Sequence, residues 1–215
     1  MSDEIGLFEA IYTQRAIRSF KPEPVPREVL EKILEAATKA PSGGNNQPWA
    51  FVVVTDEAER HQLNDIARGT FAAMYADALA RQLPGDPPPM SSLKKMVDNI
   101  DAVPVWVIVC STAPVMPGPV WGRYASIFPA VQNLLLAARG TGVGAVMTGL
   151  LSSDVPKLRS VTGIPEEVEP IVYVPLGYPE NAKYGPTTRR PLAEVVHWDT
   201  WDTEKSNTAK VAYRR

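Results

Sequence analysis

The stretch Ala40-Pro41-Ser42-Gly43-Gly44-Asn45-Asn46-Gln47-Pro48-Trp49 joins a helix-periodic run to the apolar run Phe51-Val52-Val53-Val54. Its two glycines allow positive φ or a close backbone approach to a flat ligand, because no Cβ stands in the way. Pro41 and Pro48 fix φ and remove two donors, so the loop is stiff as well as tight. Ser42, Asn45, Asn46 and Gln47 add donors and acceptors without charge. Two readings fit: a loop that embraces a polar aromatic ring, or a helix-to-strand connection with ordinary turn chemistry.

On the N-terminal side, Arg27-Glu28 opens a helix that places Val29, Leu30, Ile33, Leu34, Ala37 and Ala40 on one face. Before it, Leu7, Ile11 and Tyr12 recur at helical spacing and lead into Arg15-Ala16-Ile17-Arg18. On a helix or its last turn, Arg15 and Arg18 point to one side. Two guanidinium forks converging in this way suit a phosphate or another oxyanion. The alternative is a solvated basic edge at a helix C-terminus, where positive charge is favoured.

On the C-terminal side, Phe51 to Thr55 has the length and β-branching of a buried strand. Asp56 caps a helix expected to run towards Leu83. The breaker Pro84 to Pro89 is a surface loop suited to a lid, and a short helix around Leu93, Met96 and Ile100 follows it. Val103 to Cys110 reads as a second buried strand. Ser111 to Gly122 is Pro- and Gly-rich yet carries Val115, Met116, Val120 and Trp121, which either cap a core or line a binding mouth. Residues 84–124 are therefore the candidate lid and acceptor-pocket region.

Tyr124 to Arg139 is the most apolar helix, and its consecutive Leu134, Leu135 and Leu136 put apolar groups around much of its circumference. Such a helix belongs at the centre of a large core or in a subunit interface. Gly140-Thr141-Gly142-Val143-Gly144 follows a helix and precedes a strand, the reverse of the dinucleotide-binding order. Ala145 to Met147 is expected as a strand, Asp154 as the cap of another helix, and Pro170 to Leu176 as a buried strand. The chain reads as one α+β domain over residues 1–215, with a C-terminal arm at 191–215.

Composition excludes several classes. A hydrophobic content of 45% with 21% charged residues fits neither a disordered chain nor a membrane protein. Apolar runs break before reaching the roughly 18 residues of a spanning helix. A net charge of -2 gives no footprint for nucleic acid. Cys110, His61 and His197 are too few for a cysteine cluster or a structural zinc, so no metal is expected. Asp3 and Glu4 argue against a signal peptide, and a cytoplasmic location is expected.

Gln14-Arg15-Ala16-Ile17-Arg18, the loop Pro41 to Trp49, and the pairing of Gly177-Tyr178-Pro179 with Arg189-Arg190-Pro191-Leu192 together resemble the nitroreductase family of FMN enzymes. The run Gln132 to Ala138, followed by Gly142-Val143-Gly144, is similar to that family's central helix. The resemblance spans about Tyr12 to Trp198. It implies a central mixed, mainly antiparallel sheet flanked by helices, in an intertwined homodimer with two FMN sites at the interface. It further implies that Arg15 and Arg189, with Arg190 as an auxiliary, meet the FMN phosphate. Arg18 would lie near the ribityl chain and the N1/O2 edge, where reduction leaves negative charge. Ala16 belongs to the same motif. Pro41, Ser42, Gly43 and Asn45 would contact the cofactor from the partner subunit, and Thr148 and Gly149 would approach N5. Family members often carry Arg-Arg-Ser where this chain has Gln14-Arg15-Ala16, so Arg189, Arg190 or backbone groups would have to replace a cation and a hydroxyl.

The implied activity is ping-pong transfer of two electrons from NADH or NADPH to a nitroaromatic, a quinone or a similar acceptor. No catalytic side chain is assigned, because the flavin carries the reaction. Specialised flavin chemistry on the same fold (dehalogenation, ene reduction or flavin fragmentation) and a non-catalytic flavin-binding protein are the alternatives.

Overall fold

The computed structural model describes residues 5–83, 87–112, 124–181 and 184–202. Most of the Ser111 to Gly122 loop, part of the Pro84 to Pro89 breaker, and residues 203–215 of the expected arm lie outside the described residues. The chain divides into two compact units, Met1–Tyr184 and Gly185–Arg215.

The first unit is built on four strands, β1 (Trp49–Val54), β2 (Val105–Ser111), β3 (Gly144–Ala145) and β4 (Glu169–Gly177), in the order β1-β2-β4-β3. Every ladder is antiparallel. The expected parallel component is confined, among the described residues, to an isolated bridge between Ala16 and Ala145. β2 is buried along its whole length because both faces of the sheet are covered. Its alternate residues divide accordingly: Trp106, Ile108 and Cys110 face one core, and Val105, Val107 and Val109 face the other.

The first core is closed by α3 (Glu57–Ala80), α4 (Ser91–Asp98) and the helix Val155–Thr162, here α6. The second is closed by α2 (Arg27–Thr38) and the helix Ile127–Gly140, here α5. α2 buries Leu30, Ile33 and Ala37 at helical spacing. α5 buries Ile127, Ala130, Val131, Leu134, Leu135 and Ala138 within the single chain, so α2 and the sheet already cover most of it. Exposed large apolar side chains cluster on α1 (Leu7–Thr13), at Leu7, Phe8, Ile11 and Tyr12, while others, among them Met74 and Leu79 on α3, Phe128 on α5 and Met147, stand apart from that cluster. Among the described residues no helix is long and apolar enough to cross a membrane.

Two local expectations are corrected. Arg15 and Arg18 are not helical: α1 ends at Thr13, and Gln14 turns extended (ψ 135°). The open edge of β3 captures the chain, with Ile17 N–H donating to Ala145 O at 3.1 Å. Ala145 to Met147 does not form a continuous strand. Thr148 and Tyr173 exchange both backbone bonds, at 2.9 and 3.3 Å, which keeps the register of β3 on β4. Two residues past Tyr173 the backbone again faces β3, but Pro175 has no N–H to donate, so the ladder fails opposite Val146.

In the second unit a short 3-10 turn covers Leu192–Glu194. The His197 ring then stacks on Trp201 with centroids 4.2 Å apart, and His197 Nδ1 accepts from Asp202 N–H at 2.9 Å. Trp198 is 78% exposed.

Candidate functional site

Beyond β3 the segment Arg15 to Lys21 runs along the sheet edge and then pairs with the continuation of β4. Lys21 N–H donates to Tyr178 O at 2.8 Å, and Glu180 N–H donates to Ser19 O at 3.1 Å. This segment and α4 enclose a cavity of about 290 Å³. Its cations are Arg15, Arg18 and Lys95, and Ser19, Ser92 and Asn181 supply neutral polar groups. Among the described residues no carboxylate lines it.

Arg15 Nη1 and Arg18 Nε are both buried and have no hydrogen-bond partner among the described residues. Among the described residues, the one bond made by the Arg18 side chain is a long one, Nη1 to Ala16 O at 3.5 Å. Burying a charged donor without an acceptor costs roughly 1–3 kcal/mol or more. Two such donors on residues that line one recess beside an ammonium fit a place completed by an anion. The residues present fit a phosphate-bearing or otherwise anionic group.

The sequence motif found Arg15, Ala16 and Arg18, and the fold brings all three to this recess. Thr148 is half-buried, paired with Tyr173, and its Oγ1 accepts from Leu150 N–H at 3.3 Å. Gly149 is exposed and its carbonyl accepts from Ser152 Oγ at 2.7 Å. Pro41, Gly43 and Asn45 are exposed and Ser42 is half-buried, in a loop that enters β1 at the opposite edge of the sheet. This loop is stiff by construction. Gly44, Asn45 and Gln47 all take positive φ (59°, 54° and 48°). Ser42 Oγ accepts from Gln47 N–H at 3.0 Å, and Gln47 Nε2 donates to Asn45 Oδ1 at 3.2 Å. Arg189 and Arg190 belong to the second unit, where both are exposed and Arg189 Nη1 donates to Thr188 O at 2.9 Å.

Ser92, Lys95 and Asn181 were missed from sequence. A signal for one of them exists: Asp98 is the helical acid within reach of both Lys94 and Lys95, and Lys94 takes it at 2.8 Å. Among the described residues that pairing leaves Lys95 available to a ligand.

A larger cavity of about 570 Å³ lies elsewhere, between α2 and the ends of β1 and β2. Its lining holds Arg27, paired with Glu31 at 2.8 Å, and Arg60, which donates to Thr55 O and Val103 O at 3.2 and 2.9 Å, so among the described residues it lacks the buried unpartnered donors of the smaller recess. Cys110 offers no alternative chemistry, because burial pushes its thiol up to about 11 and keeps it protonated. Among the described residues no cluster of acids, histidines and cysteines is arranged to hold a metal.

A three-layer α+β fold with a polycationic recess on its sheet edge defines a protein built to hold an anionic ligand. The sequence pattern of the nitroreductase family matches residues 11–178, and the chain belongs to that family. It is 34% identical over 203 residues to a Methanothermobacter thermautotrophicus protein provisionally named an NADH dehydrogenase/NAD(P)H nitroreductase, covering 92% of this chain and 89% of that one. It is 30% identical over 199 residues to iodotyrosine deiodinase 1 of Rattus norvegicus, covering 88% of this chain and 67% of the relative. Among solved structures, an oxidised iodotyrosine deiodinase bound to FMN and 3-iodo-L-tyrosine superimposes with a TM-score of 0.70 at 26% identity, covering 91% of this chain and all of the other.

Proposed function

We propose that this chain is an FMN-dependent oxidoreductase that carries two electrons from NADH or NADPH to an electron-poor acceptor, such as a nitroaromatic or a quinone, in a ping-pong cycle. It would work as a cytoplasmic homodimer on small molecules, with neither nucleic acid nor membrane as a partner. The observation that carries this reading is the recess lined by Arg15, Arg18 and Lys95, whose Arg15 Nη1 and Arg18 Nε are buried without acceptors among the described residues. FMN, when bound, supplies the electron transfer, and the protein supplies binding, orientation and electrostatics.

In this reading Arg15, Arg18 and Lys95 hold the anionic parts of the cofactor, with Arg189 and Arg190 as further phosphate ligands. A cation held in place near the ring also favours the negative charge that reduction leaves there. Gly149 would offer its backbone N–H at the end of the β3 segment, held there by Thr148, whose own backbone is paired with Tyr173. Pro41, Ser42, Gly43 and Asn45 come from a second copy, because one chain keeps that loop on the far edge of its sheet. The absorbance spectrum of the purified protein, before and after anaerobic NADH and then NADPH, is the direct test. A flavin spectrum bleached by one of them is expected. A colourless protein that takes up no added FMN overturns the reading.

A second reading is reductive dehalogenation of a halogenated aromatic on the same site. Its support is the iodotyrosine deiodinase relative at 30% identity and the structural neighbour that holds 3-iodo-L-tyrosine. Stopped-flow reoxidation with a panel of acceptors separates the two. Rapid turnover of both quinones and nitroarenes supports the first, and halide release with neither of those turned over supports the second.

A further inference from the structure

Gly144 and Gly177 face each other as register partners across β3 and β4, on the side of the sheet that packs the first core. Their two absent side chains leave a notch in the sheet edge. A Cβ on Gly144 would lie 2.7 Å from Ile17 Cγ2 and 2.9 Å from Ile17 Cβ. A Cβ on Gly177 would lie 2.7 Å from Pro104 Cδ and 3.1 Å from Phe20 Cδ1. Carbon atoms in ordinary contact stand about 3.5–4.0 Å apart, so neither site admits even a methyl group without movement. Ile17, Phe20 and Pro104 fill the notch and are buried there. Between and before Ile17 and Phe20, Arg15, Ala16, Arg18 and Ser19 line the cationic recess.

The segment is thus pinned on both sides of Arg18. On one side Ile17 sits on Gly144 and bonds Ala145 O. On the other Phe20 sits on Gly177, and Lys21 bonds Tyr178 O. We propose that Gly144 and Gly177 are positioning residues: the notch they leave, in which Ile17 and Phe20 sit, sets where Arg15 and Arg18 stand and hence how the protein grips the phosphate of its flavin. The phosphate half of this statement rests on the function proposed above; the placement of the arginine segment does not. A methyl group at 144 must lift Ile17 by about 1 Å, and charge-assisted hydrogen bonds do not survive such an offset unchanged.

The test uses the full-length chain with Gly144→Ala, Ile17→Ala and the double substitution. Hydrogen exchange at the Ile17 amide needs no ligand. We expect it to quicken at least tenfold in Gly144→Ala while the amide of Val107, in the central strand, is unchanged. Unaltered Ile17 exchange overturns the notch whatever the protein binds. Titration with FMN and with riboflavin then reads the grip on the phosphate. The preference for FMN should fall at least tenfold in Gly144→Ala and recover threefold or more in the double variant, where the side chain at 17 makes room. Equal weakening of both flavins denotes general damage and overturns the positioning role. A wild type that binds both flavins equally, or neither, sinks the proposed function and leaves exchange to decide the notch. If Gly144→Ala does not fold, Ile17→Ala empties the notch from the other side. It must then show the same faster exchange at residue 17 and the same lost preference, and if it shows neither the proposal fails.

Discussion

Arg15 and Arg18 were expected to stand on one side as a candidate oxyanion pair, and the fold brings them together for a different reason. Their spacing suggested one side of a helix, whereas they stand on an extended segment and meet because a single recess receives both. Lys95 and Asn181 reach the same recess from distant parts of the chain, and long-range closure of that kind leaves no mark in local sequence. Substituting Lys95 or Arg18 by alanine should weaken FMN binding about 10- to 100-fold, the worth of one hydrogen bond to a charged group. Quenching of flavin fluorescence measures this, and unchanged affinity in both variants would remove these residues from the site. Gly43 makes the complementary case. A Cβ there meets nothing within 4 Å in the single chain, so Gly43→Val should fold normally. We expect it nonetheless to lose FMN, because the loop has work to do only against a ligand or a second copy. Stoichiometric flavin in that variant counts against the loop's assignment.

Helix ends were the most legible elements. Asp56 and Asp154 were read as caps, and each accepts from a backbone N–H three residues on at 3.0 Å, Glu59 and Lys157 respectively. Removing the first with Asp56→Ala should lower stability by about 1 kcal/mol, seen as a lower urea midpoint at constant slope. Less legible were features that depend on what lies across the fold. Arg159 looks like a solvent-facing helix residue, yet its guanidinium donates to the carbonyls of Ile164 and Val168 at 3.2 and 2.9 Å and closes the turn before β4. Asp101 was equally silent in sequence. It accepts from Asn64 Nδ2 at 3.1 Å and pairs with Arg68, and Asn64 in turn accepts from the buried Trp106 Nε1 at 2.9 Å. Burial pushes the Asp101 carboxyl up, but the Asn64 bond, Arg68 and His61 together outweigh it and hold it below the ordinary aspartate value. A depressed carboxyl contributes stability above its unfolded value and loses it as pH falls through the folded one. The stability gap between wild type and Asp101→Asn should therefore be present near pH 7 and shrink towards about pH 3. A gap that stays constant over that range would mean the charge is not what holds the contact.

At the scale of the whole molecule, the loop and the arginines stand far apart. The loop Pro41 to Pro48 enters the sheet at β1, while the arginine segment lies past β3, across the full width of the sheet. Adjacent strands stand about 4.8 Å apart, so the two edges are separated by roughly 15 Å. If loop and arginines serve one flavin, the loop must come from another copy. For that meeting we propose the surface of α1. Its Phe8 and Tyr12 are 68% and 61% exposed, with Leu7 and Ile11 beside them, a larger apolar cluster than a solvated helix normally shows. The helix is also held firmly in place. Arg139 of α5 donates to Thr13 Oγ1 at 3.1 Å, lies 3.6 Å from Glu9, and rests 4.0 Å over the Tyr184 ring. A rigid apolar face loses little conformational entropy on association, so it favours a permanent partner over a transient one. We therefore expect a homodimer by light scattering, and Phe8→Asp, which places a charge in the middle of that face without touching either core, should give a folded monomer. Because the second copy brings the loop, the same variant should also lose FMN affinity. A Phe8→Asp protein with the wild-type mass and full flavin binding would show that α1 is not the interface, and a wild type that is monomeric yet binds FMN stoichiometrically would show that one chain builds the site alone.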